Sequence, residues 1–129
     1  MEKNMSKTQP EQLPSLALAY IGDAVYELAV REHVLKSGAY KVGELHKKAV
    51  AYVRAQRQSE LAAEIEKLLS ATELEVFRKG RNAKSGHQPP NTSVGAYRRA
   101  TGVESLIGYL YLKKEQERLD KIFAVLFGD

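Results

Sequence analysis

The segment LALAYIGDAVYELAV, from Leu16 to Val30, is the part of the sequence that is most informative about the fold. Its pattern predicts a helix that is apolar almost all the way round, yet it contains two carboxylates, Asp23 and Glu27. No Lys or Arg lies within the segment to neutralise them. Because burial of an unpaired carboxylate is costly, we expect the two acids to face a cleft, a charged partner or a metal ion.

Helical periodicity continues along the rest of the chain, and we predict an all-α fold. Ser15 is expected to cap the first helix, which runs to about Lys36, and Gly38 to follow its last turn. Thr72 and Glu75 have the spacing of a capping box. The remaining helices are predicted at about 42–53, 57–70, 72–79, 94–113 and 116–127.

The length and composition favour one catalytic or binding domain, from 13 to 129, preceded by a flexible arm over 1–12. The chain has no Cys, which excludes disulfides, zinc–thiolate sites and thiol nucleophiles. The polar start of the sequence has no signal-peptide pattern, and no apolar run is long enough to span a membrane. We therefore expect a cytoplasmic protein.

The net charge of +4 is concentrated in one segment, 78–99, which contains six basic residues and no acid. The regions on either side each carry a net charge of −1. Gly and Pro residues predict a loop at about 80–92, and we expect the positive charge to lie on it. Such a patch predicts a polyanionic partner. The candidate nucleic-acid contacts are Arg78, Lys79, Arg81, Asn82, Lys84, Arg98 and Arg99.

A second acidic helix offers a partner for the first. The segment TGVESLIGYLYL, 101–112, is apolar except for a single acid, Glu104. Gly22 and Gly108 would each allow the two helices to approach closely. If Asp23 and Glu104 meet, their carboxylates suit a hard cation such as Mg²⁺, which binds one or two carboxylates together with substrate phosphate. That arrangement is typical of metal-dependent nucleases.

The same two segments resemble a known family. LAYIGDAVYEL resembles the L-E-x-L-G-D motif of ribonuclease III, and VESLIGYLYL resembles its second acidic motif, D-x-x-E-A-L-I-G. The resemblance is greater to the short subfamily, Mini-ribonuclease III, which has no double-stranded-RNA-binding domain. It extends over about 13–119 and includes the motifs LHKKA, GRNAKSG, P-x-N-T-x-V-x-x-Y-R and E-S-L-I-G-Y-L-Y-L.

The resemblance implies a helical endonuclease domain that forms a homodimer with two active sites across a valley for double-stranded RNA. Asp23 and Glu104 match the catalytic, metal-binding acids of the family, whereas Ala19 and Thr101 replace two other family acids. The implied cofactor is Mg²⁺, and the implied products carry 5′-phosphate and 3′-hydroxyl ends. In the subfamily the substrate is the duplex formed by the ends of the large-subunit (23S) ribosomal RNA precursor, and assistance by a ribosomal protein stays open.

Two other interpretations are compatible with parts of the sequence. A non-catalytic all-α RNA-binding module, acting in ribosome assembly, would explain the basic segment and the two missing family acids. The acids at Asp23 and Glu104 argue against it, because they would repel RNA unless a cation intervened. A helix-turn-helix DNA-binding protein is less favoured, because no convincing basic recognition helix is present.

Overall fold

The structure is a computed structural model that describes residues 9–38, 40–84 and 92–128. All regular structure within these residues is helical, which confirms the all-α prediction. A short 3-10 turn, Pro10–Gln12, precedes the six α-helices. These are α1 (Ser15–Leu35), α2 (Val42–Val53), α3 (Ala55–Glu66), α4 (Ala71–Asn82), α5 (Val94–Leu112) and α6 (Gln116–Phe127).

Most predicted helix ends agree with these bounds, but the predicted caps of two helices are wrong. Pro14 occupies the cap position of α1, and Ser15 is already helical. The capping box of α4 is Ser70 with Glu73, in place of the predicted Thr72 and Glu75. Both pairs have the same spacing, and only Ser70 adopts the extended backbone that lets a cap side chain reach back to the helix.

The centre of the domain is the crossing of α1 and α5, which the two predicted glycines make possible. A Cβ atom at Gly22 would collide with the backbone carbonyl of Glu104, and one at Gly108 would collide with that of Leu18. The two helix backbones are therefore in direct contact. Because Asp23 follows Gly22 directly, the same crossing brings Asp23 close to Glu104.

The all-round apolar pattern of α1 predicts a helix enclosed by protein on every side, but the structure encloses it on one side only. Its inner face packs into the core, while an apolar stripe on the opposite side is exposed. Leu16, Tyr20 and Leu28 of this stripe are 40%, 80% and 60% exposed, and Ala24 lies between them at the same four-residue spacing. The helix is apolar all round because it has two apolar faces, of which only one contacts the rest of the described chain.

The first residues of the described chain are held against α5. The Tyr109 hydroxyl donates a hydrogen bond to Glu11 at 3.1 Å, and Lys113 Nζ lies 2.9 Å from the same carboxylate. Within the segment 1–12, for which a flexible arm was predicted, Pro10–Gln12 form the 3-10 turn. Residues 1–8 lie outside the described residues.

A buried ion pair connects α4 to α6. Glu73 accepts two hydrogen bonds from Arg118, at 2.6 and 2.9 Å, and its side chain also accepts one from the backbone N–H of Ser70. Arg118 donates in addition to the carbonyl of Leu68 at 2.6 Å. The guanidinium of Arg118 holds the pKa of Glu73 below its ordinary value.

We expect Glu73→Gln to reduce the free energy of unfolding near pH 7 by about 3 kcal/mol, because it leaves Arg118 without its charge partner. The folded-state pKa of Glu73 is below its ordinary value of 4.5. Its contribution is therefore complete above that value and lost as the pH falls through the folded-state pKa. Urea unfolding at a series of pH values should show the difference between wild type and variant disappearing on acidification.

The matched control for this variant is Glu75→Gln, on the same helix. Glu75 pairs with Lys79 at 3.1 Å, but both side chains are 67% exposed. The control should cost no more than about 1 kcal/mol at any pH. Equal costs for the two variants would contradict the assignment of Glu73–Arg118 as the ion pair that stabilises this part of the fold.

Candidate active site

Asp23 and Glu104 form a carboxylate pair at the crossing of α1 and α5. Asp23 is exposed, whereas Glu104 is largely withdrawn from solvent between the helices. The pKa of Glu104 is raised to about 8. Burial is the largest cause, and the charge of Asp23 and a hydrogen bond with Asp23 contribute to the same shift. This shift favours the protonated form of Glu104, which can donate a hydrogen bond to Asp23.

Glu27 does not belong to this pair. It lies 3.8 Å from Arg31 in an exposed ion pair one turn further along α1. Arg31 lies one residue beyond the segment Leu16–Val30, so that segment by itself contains no partner for Glu27. The two acids of α1 therefore have different partners: Glu27 faces the cation of Arg31, and Asp23 faces Glu104.

A cleft of about 630 Å³ is lined in part by Glu104. The face of α5 that contains Tyr97, Thr101 and Glu104 forms one wall, and the start of α3 forms the other. Arg54, at the junction of α2 and α3, also lines this cleft. The space is large enough for a segment of nucleic-acid backbone beside the carboxylate pair.

The residues of this site fit one Mg²⁺ ion that retains several waters. Mg²⁺ usually takes one or two carboxylates in addition to substrate oxygens, and Asp23 and Glu104 supply two. The hydroxyl of Thr101, on the same face of α5, donates to the carbonyl of Tyr97 at 2.9 Å. Among the described residues, no group of three or more acids and histidines lies together in a metal-binding arrangement.

The structure places the start of the predicted basic loop, residues 80–82, on α4. Arg78 and Lys79 are exposed on α4, which continues through Asn82. Arg81 is half-buried, with its guanidinium 6.0 Å from the centre of the Phe77 ring and its Nε donating to Asn82 at 3.3 Å. Arg78 and Lys79 lie on a helix as predicted, whereas the prediction of a loop at Arg81 and Asn82 is wrong, because the helix extends past Gly80.

The other predicted basic residues lie on both sides of the break. Lys84 is exposed just after α4, whereas Arg98 and Arg99 are exposed on the first turns of α5. Arg99 also donates to the hydroxyl of Ser59 on α3 at 2.8 Å, which holds α3 against α5 beside the cleft. The part of the predicted loop over 85–91 lies outside the described residues.

Two residues of the cleft were not predicted from the sequence. Arg54 lies outside the basic segment, and no pattern in the sequence singles it out. Gln58 is only 2% exposed, and its amide nitrogen has no hydrogen-bond partner. A signal for Gln58 was present, since it takes a core position in the pattern that continues through Ala62 and Ile65.

Comparisons with known proteins agree with this fold and site. The model of the ribonuclease III domain matches residues 16–115. A Mini-ribonuclease 3 from Clostridium tetani is 44% identical over 98% of this chain and 84% of its own length. One from Brevibacillus brevis is 40% identical over 100% of this chain and 99% of its own. A crystal structure of a protein from Fusobacterium nucleatum matches with a TM-score of 0.84 and 30% identity, over 94% of this chain and 98% of that one.

The domain is a ribonuclease III domain, and the protein is an endoribonuclease. The chain belongs to the ribonuclease III family and, within it, to the group of relatives named Mini-ribonuclease 3. The resemblance inferred from the sequence motifs is thereby confirmed, and the non-catalytic alternative is not supported. No helix within the described residues is long and apolar enough to cross a membrane.

Proposed function

We propose that this endoribonuclease uses Mg²⁺, held by Asp23 and Glu104, to hydrolyse double-stranded RNA. The observation that carries the proposal is the carboxylate pair at the α1–α5 crossing, which opens into a cleft lined by Arg54. Two acids alone would repel a phosphate backbone, and a divalent cation between them removes that repulsion. The family to which the chain belongs acts on double-stranded RNA, and this supports the substrate class.

Mg²⁺ bound there would neutralise charge that develops on the scissile phosphate and would activate water for attack. Asp23 is exposed and Glu104 is largely withdrawn from solvent, and both carboxylates would hold the ion. Arg54 lies on the same cleft and would hold a neighbouring phosphate in place. We expect cleavage to leave 5′-phosphate and 3′-hydroxyl ends.

RNA recognition would depend mainly on backbone contacts. The major groove of an A-form duplex is too deep and narrow for side chains to read, so phosphates and 2′-hydroxyls carry the binding. The exposed residues of the basic segment supply such contacts from two helices and the chain between them. We propose as RNA contacts Arg78, Lys79, Arg81, Asn82, Lys84, Arg98 and Arg99.

We expect Lys84→Ala to weaken binding of a duplex RNA and to make the dependence of log K on log salt less steep by about one, because one phosphate contact is lost. Binding is measured in Ca²⁺ over a range of salt concentrations. Lys121→Ala, in the exposed part of α6 outside the basic segment, is the control and should leave the slope unchanged. An unchanged slope for the Lys84 variant would remove this residue from the RNA-binding surface.

The enzyme is proposed to act as a homodimer joined through the exposed apolar stripe of α1. Leu16, Tyr20 and Leu28 are large apolar side chains exposed along one face of α1, and exposed apolar patches often mark interaction surfaces. A two-fold axis through this surface would place two copies of Asp23 on one side of the dimer. Such a pair of sites matches the two antiparallel strands of a duplex.

We expect Tyr20→Asp to convert the dimer to a monomer, because it places a charge at the centre of the stripe. Sedimentation velocity should give twice the chain mass of 14.4 kDa for wild type and the single-chain mass for the variant. Tyr40→Asp is the matched control, since Tyr40 is 76% exposed but lies outside α1. A monomeric wild type, or a dimeric Tyr20 variant, would contradict this interface.

We further propose that the natural substrate is the duplex formed by the ends of the 23S ribosomal RNA precursor. Since the relatives are bacterial proteins, that precursor and the enzyme would both be found in the cytoplasm. A ribosomal protein bound to the precursor is a candidate partner. Cleavage of the purified precursor with and without bound ribosomal proteins tests both the substrate and the partner.

The experiment that tests the activity is cleavage of an end-labelled RNA duplex with Mg²⁺ and with a chelator. Cutting that requires Mg²⁺ and leaves 5′-phosphate ends is the expected result. Cutting of equal rate in the chelator would exclude the proposed role of the metal. Binding without cutting, under every divalent metal, would contradict catalysis by this site.

A further inference from the structure

The cleft beside Glu104 contains a buried group whose hydrogen-bonding capacity is not used. Gln58 on α3 is 2% exposed, and its side-chain nitrogen has no hydrogen-bond partner. It is the one buried side-chain nitrogen or oxygen in this condition within the described part of the chain. A buried donor without a partner is costly, by roughly 1–3 kcal/mol, and native proteins seldom retain one without a functional reason.

On the opposite wall of the cleft, the Glu104 carboxyl lacks a hydrogen-bond donor among the described residues. Apart from Asp23, no described residue donates to or accepts from the Glu104 carboxyl. Once Glu104 is ionised and bound to a cation, its buried oxygens need a donor from the protein. A donor without an acceptor and an acceptor without a donor thus line the same cleft.

The register of the two helices brings these groups within reach of each other. The hydrogen bond from Arg99 to Ser59 pins α3 to α5 at the residue next to Gln58. Glu104 follows Arg99 by five residues, which is roughly 7.5 Å along a helix axis. Gln58 and Glu104 both line the cleft between the two helices, so their side chains face the same space.

We propose that Gln58 is a positioning residue for Glu104: its side-chain amide donates a hydrogen bond, directly or through one water, to the Glu104 carboxylate that holds Mg²⁺. The inference rests on the proposed metal site. In this arrangement the neutral amide of Gln58 on α3 supports Glu104, the single buried acid of the site. The family pattern has a further carboxylate at the position of Thr101, and this chain lacks it. The arrangement explains why an amide is retained at a core position of α3 where an apolar residue would pack at lower cost.

The test is the affinity for Mn²⁺ and for Mg²⁺, measured by calorimetry without RNA, for wild type and Gln58→Met. Loss of a group that orients a metal ligand typically weakens metal binding by about 10–100-fold, and we expect a decrease in that range. The Mg²⁺ concentration for half-maximal cleavage should rise by the same factor. At saturating Mg²⁺ the cleavage rate should return close to that of wild type.

Gln56→Met is the matched control on the same helix. The amide of Gln56 is exposed and already donates to Glu60 at 3.1 Å, so its loss should leave metal affinity unchanged. Both variants should be folded, since replacing an unsatisfied buried amide by an apolar side chain is neutral or stabilising. Gln58→Leu provides a second substitution if the Met variant does not fold.

Three results would overturn the proposal. The first is wild-type metal affinity in a folded Gln58 variant. The second is loss of RNA affinity alone, which would make Gln58 a substrate contact. The third is unfolding of both Gln58 variants, which would make its role structural. Failure of the metal site itself is distinguishable, because wild type and Asp23→Asn would then bind Mn²⁺ equally weakly.

Discussion

Replacement of Asp23 by Asn is expected to reduce kcat/KM for RNA duplex cleavage by more than about 1000-fold, which corresponds to about 4 kcal/mol of transition-state stabilisation. The amide removes one of the two carboxylates that the described residues bring to the α1–α5 crossing, so the site loses half of its acidic ligands. The measurement is single-turnover cleavage of an end-labelled duplex at saturating Mg²⁺.

The same variant should fold and bind RNA. Asp23 is exposed, so the substitution leaves the core intact. Asp23→Asn also removes the negative charge that raises the pKa of Glu104, so that pKa should fall and stability at neutral pH should not decrease. Circular dichroism, urea unfolding and duplex binding in Ca²⁺ provide these readouts.

Glu27→Gln is the matched control, one turn further along α1. Glu27 is half-exposed and pairs with Arg31 at 3.8 Å, an interaction worth at most about 1 kcal/mol. Its cleavage rate should stay within about fivefold of wild type. Strong residual cleavage by the Asp23 variant, or equal losses in both variants, would exclude Asp23 as the central acid.

Replacement of Gly22 by Ala is expected to destabilise the domain by more than about 3 kcal/mol, beyond the usual cost of overpacking, because the clash is with backbone. The added Cβ would collide with the carbonyl of Glu104 and lie 2.9 Å from the nitrogen of Gly108. Backbone cannot rotate away as a side chain can, so α1 and α5 must separate. Urea unfolding monitored by circular dichroism measures the loss.

The separation should also affect catalysis. Any molecules that remain folded would hold Asp23 further from Glu104, and their cleavage rate per folded molecule should fall. Gly43→Ala is the control, because a Cβ at this exposed helical glycine meets nothing within 4 Å. That substitution should stabilise α2 by about 0.5–1 kcal/mol. Tolerance of alanine at Gly22 would contradict the backbone contact at the crossing.

Local pattern and chemistry were enough to predict the helices and the central acids. Apolar periodicity predicted the span of α1 and the exact span of α6, because both depend on spacing that is visible within one segment. The glycines at the crossing were also visible, since a small residue within an apolar helix indicates close approach. The pairing of Asp23 with Glu104, 81 positions apart, came from combining these signals with the family motifs.

The sequence by itself thus determined the helical fold class, the location of the two acidic helices and the concentration of positive charge over 78–99. Only the tertiary structure decided which side chains are buried. It placed Glu27 beside Arg31 in solvent, exposed one apolar face of α1 and enclosed Gln58 without a partner. The physical reason is that periodicity identifies apolar faces, whereas burial depends on which faces meet, and this is set by contacts between segments distant in the chain.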